Sequence, residues 1–238
     1  MRSNVSEPTG GAAWEGPPPP ESFTRVTLRP IANPLPLGFG ALALATVLVA
    51  GSQLGWIPTS ETTSVALILL AAVAPAQLLT SIVSYHARDG VAGTGMGTLA
   101  GTWAAMGLIL LTSEPGSTGH APGLLLLVAA AVMLVPAAGA ALGKLVPAAV
   151  LTITAIRFAL TGIWEFTGSN GWKVASAIVG LILGGFAIYA AAALGLEAAA
   201  KRTVLPVGHR GKGAEAAAGD FRDQIAGIVH EPGVRQQL

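Results

Sequence analysis

The sequence predicts an all-α polytopic membrane protein with six transmembrane helices and both termini in the cytoplasm. Three observations lead there. First, 52% of the 238 residues are apolar and only 11% are charged, against roughly 25% charged in a soluble domain. With a mean hydropathy of +0.64, such a chain cannot cover a water-facing surface. Second, six stretches each suffice to cross a hydrocarbon core about 30 Å thick, which takes about 20 residues. Third, the Lys and Arg residues gather on one side of those stretches.

Residues 1–30 come first, rich in Gly, Pro and Ser, with the run Pro17 to Pro20. No apolar periodicity organises them, so a disordered, partly polyproline cytoplasmic arm is expected. No apolar h-region follows Arg2 within thirty residues, so no signal peptide is expected. A transport domain over 31–208 then holds spans near 38–56, 63–84, 91–112, 123–142, 146–166 and 173–196. Turn chemistry separates them: Pro58-Thr59-Ser60, Arg88-Asp89-Gly90, Ser113-Glu114-Pro115-Gly116, Gly143-Lys144 and Gly168-Ser169-Asn170-Gly171. Each run is continuously apolar rather than alternating, which selects helices over a barrel. The tail 209–238 carries Phe221, Ile225, Ile228 and Val229 at helical spacing. It reads as a largely disordered cytoplasmic tail or a short amphipathic helix.

Of the 13 Lys and Arg residues, all but Arg157 and Lys173 fall on the side of the two chain ends. The positive-inside rule therefore places both termini in the cytoplasm, and an even number of spans agrees by putting them on one side. A weak likeness between Thr80–Gly90 and Thr161–Gly171 is compatible with an inverted 3+3 repeat. Glycines at small-xxx-small spacing, Gly93/Gly97/Gly101, Gly51/Gly55 and Gly180/Gly184, let helices approach closely. They serve either packing within one chain or an oligomer.

The chain has no cysteine, which excludes disulfides and Cys-ligated metal. His86, His120, His209 and His230 are expected in loops or the tail, none at metal-ligand spacing with a partner. No enzyme constellation, cofactor or nucleic-acid partner is expected.

Two residues stand out on physical grounds. Arg157 sits near the middle of the fifth span, where an ionised side chain costs about 2.5–3.5 kcal/mol on insertion scales. No acid lies at comparable depth, and Glu165 is roughly 12 Å farther along the helix. Arg157 either attracts an anionic guest, whose carboxylate can take two of its hydrogen bonds, or ties helices together through carbonyls and hydroxyls. Gln77, buried in the second span, either lines a path or bridges helices. Before the first span, Asn33-Pro34-Leu35-Pro36-Leu37-Gly38 carries two prolines that are expected to leave backbone groups unpaired near the membrane surface. That segment is either part of a water-filled path or a helix start.

The Asn33–Gly38 pattern before the first of six spans resembles the signature of the acetate uptake transporter family. Ala76-Gln77, Trp103 and the ending Arg202-Thr203-Val204-Leu205-Pro206-Val207-Gly208 after Ala187-Ile188-Tyr189 agree with it. The resemblance, over about residues 31–208, implies a six-helix protomer in a hexamer. Each protomer would pass acetate, succinate or related small carboxylates across the inner (plasma) membrane, with proton coupling or in a channel-like manner. It further implies a constriction of Phe, Tyr and Leu on spans one, three and five; here those positions hold Leu42, Leu99 and Thr154. Asn33, Pro34, Pro36, Leu37, Gly38, Leu42, Gln77, Leu99, Thr154 and Arg157 thus form the expected substrate pathway. Expected partners are membrane lipid, a small carboxylate, protons and further copies of the chain. A passage for another small solute such as ammonia, or a non-transporting membrane scaffold, stands as the alternative.

Overall fold

The computed structural model describes residues 31–200, 202–211 and 214. The chain divides into two units, Met1–Ile31 and Ala32–Leu238, and every span belongs to the second. The expected arm 1–30, His230 and the helical spacing from Phe221 to Val229 lie outside the described residues.

Among the described residues seven α-helical segments build six spans: α1 Leu35–Gln53, α2 Thr62–Ile68, α3 Ala74–His86, α4 Gly90–Thr112, α5 His120–Ala141, α6 Leu145–Thr167 and α7 Asn170–Ala200. A π turn, Leu69–Val73, joins α2 and α3 into one span, Thr59–His86. Pro75 explains the wide turn. It has no N–H to donate, and its ring would strike the carbonyl four residues back. One extra residue in the turn, with Ala74 N–H donating to the Leu69 carbonyl, removes that collision. All six spans are apolar and long enough to cross a membrane.

Each span packs on its neighbours in sequence, and α7 closes back on α1, so the spans form a ring. Leu42, Leu69, Met96, Leu99, Met133 and Leu183 fill its interior. The outside is apolar as well, with Leu78, Leu124, Val135, Ile178 and Ile188 all more than half exposed. A helix apolar on every face suits lipid on one side and a packed bundle on the other. The ring has two ends: the turns α1–α2, α4–α5 and α6–α7 share one, and α1's start, the other two turns and α7's end share the second.

Local signals fix the helix ends. Asp89 caps α4 by accepting a hydrogen bond from Ala92 N–H at 2.8 Å. Gly168 ends α6 at φ +63, a left-handed position that glycine adopts without strain. Gly55 is also left-handed, at φ +77, in the turn beyond α1. That corrects the expected Gly51/Gly55 helix face, since only Gly51 is helical. His86 and His120 are likewise the last residue of α3 and the first of α5, rather than loop residues.

The first span begins earlier than residue 38, and the reason corrects the expectation of unpaired backbone there. Pro34 is the residue just before α1 and Pro36 lies in its first turn, where an N–H has no intrahelical partner anyway. Asn33 Oδ1 accepts from Leu35 N–H at 3.1 Å, and the Pro34 carbonyl accepts from Leu37 and Gly38 N–H. The amides of this turn are paired.

After α7 the chain turns back. Leu145 and Val146 N–H donate to the Gly208 and Val207 carbonyls, and Arg210 N–H donates to the Gly143 carbonyl. Tyr189 Oη donates to the Pro206 carbonyl at 2.8 Å. Glu197 Oε1 meets Lys144 Nζ at 3.2 Å and His209 Nε2 at 3.4 Å. The docked segment therefore runs through Arg210, past the expected boundary at 208.

Candidate functional site: two cavities and the layer between them

Two cavities enter the ring from opposite ends. The first, about 180 Å³, lies among the turns at Thr59, Glu114–Gly119 and Lys173, and reaches inward to Val49, Leu69, Trp103 and Arg157. The second, about 240 Å³, lies at the Asp89 and Gly143–Lys144 turns and reaches inward to Phe39, Met96 and Leu151.

Helical register locates what separates them. On α4 the second cavity ends at Met96 and the first at Trp103; on α6 they end at Leu151 and Arg157. At 1.5 Å per residue the intervening layer is roughly 10 Å thick. Leu42, Leu99 and Thr154 each stand one turn beyond Phe39, Met96 and Leu151, line neither cavity, and are completely buried. The three positions matched to the family's constriction thus fall in one layer, the one that keeps the cavities apart. Thr154 presents little polarity there, because Thr154 Oγ1 donates to the Val150 carbonyl of its own helix.

Arg157 sits on the first-cavity side of that layer, 1% exposed. Its Nη1 donates to the Thr46 carbonyl on α1 at 3.0 Å. Thr46 Oγ1 in turn donates to the Gly180 carbonyl on α7 at 3.1 Å. Gly180 leaves the room the guanidinium needs: a Cβ there would lie 2.8 Å from Arg157 Cζ. Trp103 covers another side, its ring centroid 6.0 Å from Cζ, and Trp103 itself packs edge-on against Phe158 at 5.7 Å. Among the described residues no carboxylate pairs with Arg157. Glu165 instead accepts from Gly119 N–H at 3.0 Å near the cavity mouth.

Gln77 bridges helices: its Nε2 donates to the Gly38 carbonyl at 3.4 Å, while Oε1 has no partner. Gly38 is buried against Met96 and Thr80. Asn33 is exposed and Pro34 and Pro36 half-buried, while Leu37 is exposed on the outside of the bundle. None of these six residues lines either cavity. The structure therefore groups Leu42, Leu99, Thr154 and Arg157, and leaves the Asn33–Leu37 turn at the rim.

Several residues here were not among the expected pathway residues. Trp103 Nε1 and both amide atoms of Gln53 are buried without partners, and both residues line the first cavity. Trp164 also lines it, its ring centroid 5.8 Å from Lys173 Nζ. The glycine faces are intramolecular where they are tight. Gly93 receives Tyr85 and Gly97 receives Ser81, whereas Gly101 faces open space.

Compared with known proteins, residues 15–209 match the model of the GPR1/FUN34/yaaH family. The chain belongs to that family. No curated protein matches. Among solved structures the fold matches one described as the structure of the bacterial acetate channel SatP. That match has a TM-score of 0.68 and 25% identity, and covers 75% of this chain and all of the other. The family match bears out the resemblance drawn from the Asn33–Gly38 and Arg202–Gly208 motifs, and the six long apolar helices make this a multi-pass membrane protein.

Proposed function

We propose that this protein passes small monocarboxylates, acetate foremost, across the plasma membrane. The observation that carries the proposal is the pair of cavities facing each other through one thin layer at Leu42, Leu99 and Thr154. A ring of helices with a recess at each end and a short, fully buried layer between them is a passage with a constriction, and layer width and wetting then set selectivity. The match to a bacterial acetate channel supports a carboxylate as the cargo. Leu and Thr replace larger side chains of the family pattern in this layer, so propionate is expected to pass as well. The Lys and Arg distribution supports cytoplasmic termini, which makes the second cavity the inner one. The protein works as a homo-oligomer with one passage per protomer, hexameric as the family resemblance implies.

Uptake of labelled acetate, propionate and succinate into proteoliposomes tests this reading. Acetate and propionate are expected to enter well above empty vesicles, with succinate slower. An imposed pH gradient separates proton coupling, which it would accelerate, from simple channel passage. The absence of carboxylate flux above empty vesicles would overturn the proposal.

A further inference from the structure

We infer that Arg157 and Trp103 form a carboxylate-binding site on the floor of the first cavity, where the anion is held before it enters the constriction. The inference rests on the transport reading above and deepens it.

Three independent observations meet at this place. Arg157 carries a full positive charge at a completely enclosed position without a carboxylate partner among the described residues. A guanidinium has five N–H donors, and one of its nitrogens, Nη1, bonds to the Thr46 carbonyl. Trp103 is 3% exposed, and its indole N–H has no acceptor. Both residues line the same cavity. A buried N–H left unpaired costs about 1–3 kcal/mol, and an uncompensated buried cation costs more. One guest cures both defects: an anion with at least two acceptor oxygens.

Cavity size and wall chemistry narrow the guest further. About 180 Å³ exceeds the roughly 10–15 Å³ of such space that one water needs more than tenfold, so acetate or propionate fits with water beside it. Phe158, Leu126 and Met106 supply apolar wall for a short alkyl end. The carboxylates on the wall, Glu114 and Glu165, belong to the mouth, and Glu165 is roughly 12 Å along α6 from Arg157. A second carboxylate on the guest would lie toward these two acids and the single cation Lys173 at the mouth, a balance that favours a monoanion. Gln53, with its amide unpartnered on the same wall, gives the guest a neutral polar contact on the way in.

The test is equilibrium binding of labelled acetate to the purified full-length protein, run beside uptake in proteoliposomes. Trp103→Phe keeps the ring against Phe158 and deletes only the N–H; acetate affinity should fall about tenfold, the effect of one hydrogen bond to a charged group. Arg157→Lys should bind weakly, since the charge stays and the planar fork is lost. Arg157→Gln should bind no acetate at any accessible concentration. Chloride should compete poorly; competition equal to that of propionate would reduce the site to a general anion site and overturn the carboxylate assignment. Unchanged affinity in Trp103→Phe would overturn the inference even if Arg157→Gln failed to fold. Uptake that persists without dependence on either residue removes this site and leaves the transport function standing. Arg157-dependent binding without uptake does the reverse, and a protein that neither binds nor transports acetate loses both.

Discussion

Gly180→Ala is the sharpest probe of how Arg157 is seated. A Cβ at position 180 would lie 2.8 Å from Cζ, 2.9 Å from Nε and 3.1 Å from Nη1 of Arg157. Ordinary contact begins near 3.4 Å, so the guanidinium must retreat by about 0.6 Å. Nη1, which bonds to the Thr46 carbonyl at 3.0 Å, must move with it, so the shift disturbs that bond. Overpacking of this kind costs about 1–3 kcal/mol. Gly185 on the same helix faces open space, so Gly185→Ala is the matched control and should stay within about 0.5 kcal/mol of the parent. Thermal unfolding in detergent and acetate uptake per folded protein measure both effects. The decisive arm is a double-mutant cycle: in an Arg157→Gln background the collision is gone, so Gly180→Ala should lose most of its cost. A cost that stays additive within about 0.5 kcal/mol would show that Gly180 does not seat Arg157, and the reasoning would fail.

Single contacts set the other expected outcomes. Thr154→Val should leave acetate uptake unchanged, because the deleted hydroxyl bonds only to the Val150 carbonyl; Thr154→Leu thickens the constriction and should slow propionate more than acetate in the same assay. Asn33→Ala removes the acceptor for Leu35 N–H and should cost about 0.5–2 kcal/mol of helix-start stability together with part of the uptake, whereas Asn33→Asp should retain both. Gly208→Ala combines φ +68 with a Cβ 2.8 Å from Leu145 Cβ; it should undock the returning segment, read as faster proteolytic cleavage after Arg210.

Much of the fold was legible because lipid imposes one rule on every span, a continuous apolar run with its backbone bonds satisfied inside the helix. The rule finds spans but not their ends. The first helix starts at Leu35 rather than 38 because a first-turn proline lacks only a donor that has no use there. Likewise Pro75 does not break the second span, since a π turn absorbs it. Arg157 announced itself through the cost of its charge, and Glu165, too distant along the helix to pair with it, binds Gly119 N–H instead. The seat of Arg157 was not legible. Gly180 looked like one half of a packing stripe with Gly184, and that pattern cannot distinguish a glycine that admits a helix from one that admits a guanidinium. In the ring, Gly184 meets Val47 of α1 and Gly180 meets Arg157 of α6.

The surroundings of Arg157 explain why its charge survives where it is. A buried cation is tolerated when polar groups surround it or when a guest completes them. The protein supplies a backbone carbonyl, an aromatic face and a missing side chain, three contacts that come from three helices other than its own: Thr46 of α1, Trp103 of α4 and Gly180 of α7. If Arg157 served only to hold helices together, those contacts would be expected to use up the donors nearby. Yet the indole N–H beside it is left without an acceptor, at the wall of a cavity that ends one turn short of the constriction. An arrangement that binds helices and still leaves a donor unpaired in a residue of the cavity wall is built around something that comes and goes.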